Sequence, residues 1–338
     1  MPKFGELNHT CKNTMAIIGI DLGGTKIAAG LFMDYGNMKQ KVVRLLNGAT
    51  GQEVGTLIVE IIRELQQYEQ YEVVTAVGIC VPGIVFSKKG TVWAPNIPGW
   101  YNFPLKQQIV KEFPHLLVNI ESDRTCYILG EIWKGAAQGC ENAIYLAVGT
   151  GIGAGIILDG HVVHGANDIV GATGWMALQS PYTQEYDACG CFETFASGNG
   201  IGYQARKLLS QATDYTGILS QKPIAEVTSH DVFSAYDDHD PIATQVLDKA
   251  IELWGMGTAN LVSLFNPEKI IFGGGVFGPA VRFIPRIYEE SCKWGQPISM
   301  KQVEYCASKV DGEAALLGAA YLALRSLIKR TIQNESIL

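Results

Sequence analysis

Six consecutive residues, Asp21-Leu22-Gly23-Gly24-Thr25-Lys26, bring together a carboxylate, two glycines, a hydroxyl and an ammonium. A glycine-rich turn lets the backbone approach a ligand and offer its N–H groups to an anion. Thr25 and Lys26 add donors, and Asp21 can hold a metal ion. The set suits a metal–polyphosphate ligand, although an ordinary tight turn with a solvated aspartate has the same composition. A second stretch, Gly149-Thr150-Gly151-Ile152-Gly153, offers another backbone nest and the Thr150 hydroxyl. It is no dinucleotide fingerprint, because G-x-G-x-x-G from Gly149 requires glycine at Ala154, and the chain contains no G-x-x-x-x-G-K-[ST]. Gly273-Gly274-Gly275 would let a flat ring lie against the main chain, or simply turn a strand into a helix. Asp123 is the candidate general base, since a hydroxyl is a poor nucleophile until a carboxylate takes its proton. It is equally placed to cap a helix, and position alone favours the cap.

The elements that must hold these residues are legible in outline. Apolar runs on both sides of each glycine-rich turn, Ile17–Phe32 and Ala143–Leu158, read as two β-hairpins of one shape, the mark of a duplicated unit. Lys41–Leu46 is a third strand. Val54, Leu57, Ile58, Ile61, Ile62 and Leu65 recur at helical spacing over Gly51–Tyr68. Val73–Val81 is a continuous apolar strand, the pattern of one buried on both faces. Ile84–Asn96 reads as strand–turn–strand, Leu105–Phe113 as a helix, and His115–Ile120 as a strand leading to Asp123. Thr125–Lys134, Thr194–Gln211, Pro241–Phe265, Val281–Tyr288 and Gly312–Lys329 read as helices, with strands at Ile270–Phe272 and Gln302–Cys306. The alternation predicts an α/β fold.

Composition narrows the function classes. A chain of 338 residues fits about two domains at ~150 residues each. Its 47% apolar and 17% charged content can build a sizeable core. The net charge of −7, without a Lys/Arg block, argues against nucleic acid or an anionic membrane as partner. No run approaches the ~18 apolar residues of a membrane span. Met1–Thr14 is polar, reads as a loose extension, and lacks the apolar core of a signal peptide. Of eight cysteines, seven are scattered without framework spacing, which predicts buried free thiols in a reduced, cytoplasmic protein.

Taken together, these segments resemble the ROK family (repressors, open reading frames and sugar kinases) of the actin/hexokinase-like, ribonuclease H-like ATPase fold. The resemblance rests on D-L-G-G-T-K at 21–26, V-P-G at 81–83, A-P-N-I-P-G-W at 94–100 and E-S-D at 121–123. It continues with G-T-G-I-G at 149–153, C-F-E-T at 191–194, N-P-E-K-I-I-F-G-G-G at 266–275 and the alanine-rich last helix. These run in the family's order over nearly the whole chain. The resemblance implies a two-lobed fold around an ATP cleft, with a small lobe of residues 15–122 plus 310–330 and a large lobe of 123–309. It implies ATP and Mg²⁺ as cofactors and a sugar or cyclitol hydroxyl as acceptor. Asp21 would sit near Mg²⁺, and Gly23, Gly24, Thr25, Lys26, Thr150 and Gly151 at the phosphates. Gly274 would lie near the adenosine. Gly83, Asn96, Ser122, Asp123, Trp175 and Glu193 would face the sugar, with Asp123 as base. Dimers are common in the family, which admits a homodimer. The family also holds repressors, so a non-catalytic sugar sensor is the alternative; against it, about fourteen residues precede the first strand, with no helix-turn-helix among them, and Asp123 is retained.

The chain departs from the family pattern in one region. Where the sugar kinases usually carry G-E-x-G-H, it reads Gly171-Ala172-Thr173-Gly174-Trp175. The glutamate that holds sugar hydroxyls is Ala172, and the histidine that contacts sugar and zinc is Trp175. The three-cysteine zinc motif is shortened to Cys189-Gly190-Cys191, which with no histidine cannot complete four ligands, so no structural zinc is expected. Ser122 replaces the usual asparagine before the base. Lost hydroxyl contacts and a tryptophan able to stack on a sugar face predict a substrate other than free glucose: a substituted or glycosidically linked sugar, or a cyclitol.

Overall fold

The computed structural model describes residues 16–33, 36–68, 73–310 and 312–335; the expected extension at Met1–Thr14 lies outside them. The chain divides into two α/β units. One comprises the described residues up to Trp133, with Ala166–Asp168 and the segment from Glu313 onward; the other comprises Lys134–Gly165 and Ile169–Gly312.

In the first unit, β1 (Ala16–Leu22) and β2 (Lys26–Met33) form the expected hairpin around Gly23-Gly24-Thr25. With β3 (Asn37–Leu45), β4 (Val74–Val81) and β7 (Leu117–Ser122) they make one sheet in the order β3-β2-β1-β4-β7. The hairpin strands are antiparallel, whereas β1, β4 and β7 run parallel. This sends the carboxyl ends of β1, β4 and β7, and so Asp21 and Asp123, to the same edge of the sheet, where open α/β sheets hold their ligands. The short hairpin of β5 (Ile84–Phe86) and β6 (Thr91–Trp93) follows β4.

Helix α1 (Gly51–Gln67) buries Val54, Ile58, Ile61, Ile62 and Leu65, the stripe its spacing predicts. Its Thr50 N–H donates to Glu53 Oε2 at 3.0 Å, half of a capping box. Helices α2 (Leu105–Glu112) and α3 (Asp123–Lys134) complete the unit with the last helix, α10 (Ala314–Glu335), which lies on β1, β4 and β7. That contact is backbone against backbone. Gly19 and Gly78 are register partners on β1 and β4. A Cβ at Gly78 would stand 1.8 Å from the Ala319 carbonyl oxygen, and one at Gly19 2.8 Å from Ala320 N. The small residues of α10 are there to let the helix settle onto this seam.

The second unit repeats the plan. Strands β8 (Ala143–Val148), β9 (Ile152–Leu158), β10 (His161–Val162), β11 (Lys269–Gly273) and β12 (Glu304–Ala307) form a sheet ordered β10-β9-β8-β11-β12. Its strand directions match those of the first sheet position by position. The likeness seen between two hairpins therefore extends over five strands. Its core is organised by α7 (Pro241–Phe265), started by Asp240, whose Oδ1 accepts the Ile242 and Ala243 amides, and ended by Asn266 at φ 43°.

Two helices differ from expectation. Thr194–Gln211 is helical in large part, as read, but divided between α4 (Cys191–Ala196) and α5 (Gly198–Gln211), because Ser197 leaves helical geometry and its Oγ accepts the Gly200 amide. Val281–Tyr288 is split between a 3-10 turn, Pro279–Phe283, and α8 (Ile284–Trp294); Pro285 is tolerated only in a first turn, so α8 begins beside it. Helices α6 (Ser229–Asp237) and α9 (Pro297–Gln302) were not foreseen. The seven described cysteines are free thiols, but only Cys80, Cys126 and Cys191 are buried and Cys292 is exposed. No helix among the described residues is long and apolar enough to cross a membrane.

Candidate functional site

Each unit carries its own share of the candidate residues. In the first, Asp21 occupies the penultimate position of β1, opposite Cys80 on β4. Burial pushes its carboxyl above the usual range, opposed by a hydrogen bond from the Cys80 thiol and by the charges of Lys26 and Lys41. A carboxylate so desolvated gains much from a cation. Gly23 donates to Lys26 O at 2.9 Å to close the turn, leaving Gly24, Thr25 and Lys26 exposed. The turn comes against the segment Ala94–Trp100: a Cβ at Gly24 would meet Asn96 Cβ at 3.4 Å. That segment is pinned by Trp100, which is 1% exposed, stacks on Phe103 at 4.5 Å and donates its indole N–H to Gly51 O at 2.9 Å. Asn96 is left exposed at its tip. Gly83 fits against the Trp93 carbonyl, where a Cβ would approach to 2.0 Å.

Asp123 opens α3 and Ser122 closes β7. The Ser122 hydroxyl accepts the Thr125 amide at 3.4 Å, so the cap is Ser122 and not Asp123. Asp123 Oδ1 accepts the Arg124 amide at 2.8 Å. Burial lifts the Asp123 carboxyl to about 6; the Arg124 amide and charge oppose this, and the negative charge of Asp21 adds to it.

In the second unit, the loop Gly149-Thr150-Gly151 joins β8 to β9. Gly149 O accepts the Gly198 amide at 2.8 Å and Thr150 O the Asn199 amide at 3.4 Å, both from the first turn of α5. In a trans peptide the N–H points opposite to the C=O. The Thr150 and Gly151 amides are therefore directed away from α5, as a pair of anion donors would be. Gly274 takes φ +88° at the end of β11, with Val148 O 2.6 Å from where a Cβ would be, which only glycine allows. Glu193 in α4 accepts the Ile152 amide at 2.6 Å, and burial raises its carboxyl above the usual range. Trp175 ends a short 3-10 turn and is 58% exposed.

A cavity of about 470 Å³ opens beside Thr150, bounded by Gly198 and Asn199 of α5, Ser229, His230 and Phe233 of α6, and Gly275 and Pro279 after β11. The amino ends of α5 and α6 both face it, with the Gly198, Asn199, Gly200 and Asp231 amides already engaged by Gly149 O, Thr150 O, Ser197 Oγ and Thr228 Oγ1. Arg206, held to Val227 O at 2.7 Å, lies in its wall. Arg206, His230 and Phe233 escaped the sequence reading, since they come from two helices, α5 and α6, and share no motif.

In the shortened cysteine segment, Thr194 Oγ1 donates to Gly190 O at 2.7 Å and lies 3.4 Å from Cys189 Sγ. Among the described residues, no three His, Cys, Asp or Glu side chains gather as a metal-binding set.

A sequence model of the ROK family matches residues 17–326. Glucokinase of Thermotoga maritima is 30% identical over 94% of this chain and 98% of its own. Beta-glucoside kinase of Listeria innocua is 28% identical over 91% of this chain and 97% of its own. In structure, a ROK family glucokinase from Streptomyces griseus, solved in complex with glucose and AMPPNP, superposes with a TM-score of 0.72 at 28% identity. The match covers 92% of this chain and 99% of that one.

Proposed function

Because the chain belongs to the ROK family, an actin/hexokinase-like fold, we propose that it is a carbohydrate kinase, transferring the γ-phosphoryl group of ATP to a sugar hydroxyl. The two α/β units serve as its lobes. The observation that carries the chemistry is Asp123, hemmed in at the start of α3, relieved of capping by Ser122, and titrating near 6. At neutral pH it is ionised yet retains enough basicity to take a hydroxyl proton, a role worth roughly 10²–10⁴ in rate. The acceptor oxygen forms a bond to the γ-phosphorus, the bond to the ADP oxygen breaks, and the acceptor's proton passes to Asp123.

Gly24, Thr25 and Lys26, with the directed amides of Thr150 and Gly151, donate to the phosphates, while Gly23 closes the turn that presents them; preorganised donors of this kind supply most of the charge stabilisation. The cavity beside Gly275 takes the nucleoside. Asp21 would hold Mg²⁺, which would supply positive charge to neutralise the phosphates. Such a kinase would work in the cytoplasm, where ATP is available.

On the acceptor side, Gly83, Asn96, Trp175 and Glu193 face the sugar. Ala172 and Trp175 replace two polar contacts with apolar surface, and the exposed indole offers a stacking face. This favours a substituted or glycosidically linked sugar, or a cyclitol, over free glucose; the relative named beta-glucoside kinase supports the same direction. The test is ADP release measured across a sugar and cyclitol panel with wild type and Asp123→Asn. Turnover with at least one acceptor, lost in the variant, is expected. Absence of Asp123-dependent turnover with every acceptor would leave the sensor reading in its place.

A further inference from the structure

Glu193 enters the site through a motif that faces the sugar, yet its carboxylate is engaged with the opposite partner. Oε2 accepts the Ile152 amide at 2.6 Å, at the exit of the loop Gly149–Gly151. A Cβ on Gly151 would lie 2.7 Å from that oxygen, and a Cβ on Gly174 equally 2.7 Å. Two glycines, one in the loop and one beside Trp175, thus make room for one carboxylate oxygen. The entry side of the same loop is tied to α5 through Gly149 O and Thr150 O. The loop is therefore fixed at its entry by backbone alone, and at its exit by the Gly149 amide on Gly151 O at 2.9 Å together with one side chain, Glu193.

We propose that Glu193 is a positioning residue for the nucleotide: its carboxylate anchors the loop so that the Thr150 and Gly151 amides stay aimed at the phosphates. This rests on the kinase reading for the identity of the anion, but the anchoring itself does not. Removing the carboxylate leaves the Ile152 amide without its acceptor and the Gly151–Ile152 peptide held by its carbonyl alone, which accepts the Gly149 amide at 2.9 Å; the loosened loop then has to be ordered at the expense of nucleotide affinity. The carboxylate is a negative charge beside an anion site. A neutral acceptor of the same reach should therefore do the anchoring as well.

The experiment measures AMPPNP affinity in the absence of sugar, and amide hydrogen exchange at Ile152, for wild type, Glu193→Ala and Glu193→Gln. Glu193→Ala is expected to weaken AMPPNP by about 10-fold and to speed Ile152 exchange, as loss of a charge-assisted hydrogen bond does. Glu193→Gln, whose amide oxygen still accepts, is expected to hold both near wild type. A residue acting only on the sugar would leave both readouts unchanged in Glu193→Ala, and that result overturns the proposal. If wild type binds no AMPPNP, the kinase reading fails. Ile152 exchange then decides the anchoring alone: faster exchange in Glu193→Ala sustains it, and unchanged exchange refutes it.

Discussion

The Ser122 hydroxyl accepts the Thr125 amide and donates to Thr125 Oγ1 at 3.2 Å, so the neighbouring Asp123 has no capping duty. On the proposed reading, structure and catalysis are thereby divided between adjacent residues. Ser122→Ala is expected to cost about 1 kcal/mol of stability while kcat stays within a few-fold of wild type. Denaturant titration and steady-state kinetics on the one variant separate the two effects, and a kcat loss as large as that of Asp123→Asn would undo the division.

If Asp123 is the base, as proposed, it is expected to set the pH dependence. With its carboxyl near 6, kcat/KM should rise with pH along an acid limb of apparent pKa about 6 and level off above it, because the base must be ionised. The same shift acts on stability with the opposite sense. The ordinary value is 3.8 and the folded value is higher, so between about 4 and 6 the native state holds the proton that the unfolded chain has lost. Stability therefore falls as pH rises through that window, by at most about 3 kcal/mol. Asp123→Asn should flatten this slope and be more stable than wild type at pH 7.5, as thermal melts at a series of pH values would reveal.

On the proposed kinase reading, Trp175 is expected to govern acceptor choice. Trp175→Ala is expected to raise KM for the preferred acceptor by about 3–10-fold, the worth of a stacking contact, with kcat little changed. The double change Ala172→Glu with Trp175→His should move preference toward free glucose. Thermal-shift screening against a sugar panel ranks the ligands directly, and glucose emerging as the best ligand of the wild type would contradict the assignment.

The seam between α10 and the first sheet is intolerant of added volume. Gly78→Ala would place its methyl 1.8 Å from a main-chain oxygen, which no rotamer change relieves. We expect a loss of at least about 3 kcal/mol, at the upper end of overpacking costs, and a Tm lowered by ~6–12 °C. Gly90→Ala, where a Cβ meets nothing within 4 Å, lies at φ +69° and serves as the control for backbone strain without collision.

The two hairpins, the helix Pro241–Phe265 and the strand Val74–Val81 were legible because their apolar periodicity is strong and local. The order of the parallel strands was not, since nothing within β4 or β11 says which neighbour it takes. The break at Ser197 was hidden by a helical pattern spanning it, although Ser197-Gly198-Asn199-Gly200 is a cap-and-breaker signal that could have revealed it. On the site, Asp21, Asp123 and the glycine loops stand in short motifs. The engagement of Glu193 with Ile152, 41 residues away, is created only by the fold. So is the cavity that gathers Arg206, His230 and Phe233.

The seating of α10 on Gly19 and Gly78 has a consequence for biosynthesis. Strands β1 and β4 are made first, but the helix that covers them is made after the whole of the second unit. At ~5–20 residues per second, the growing chain carries an uncovered glycine seam for on the order of ten seconds or more. The second unit, whose strands and helices are contiguous in the chain, is free to fold in that interval. The first-made part of the protein is thus the last to be completed, and it is there that a ribosome-associated chaperone would find its substrate.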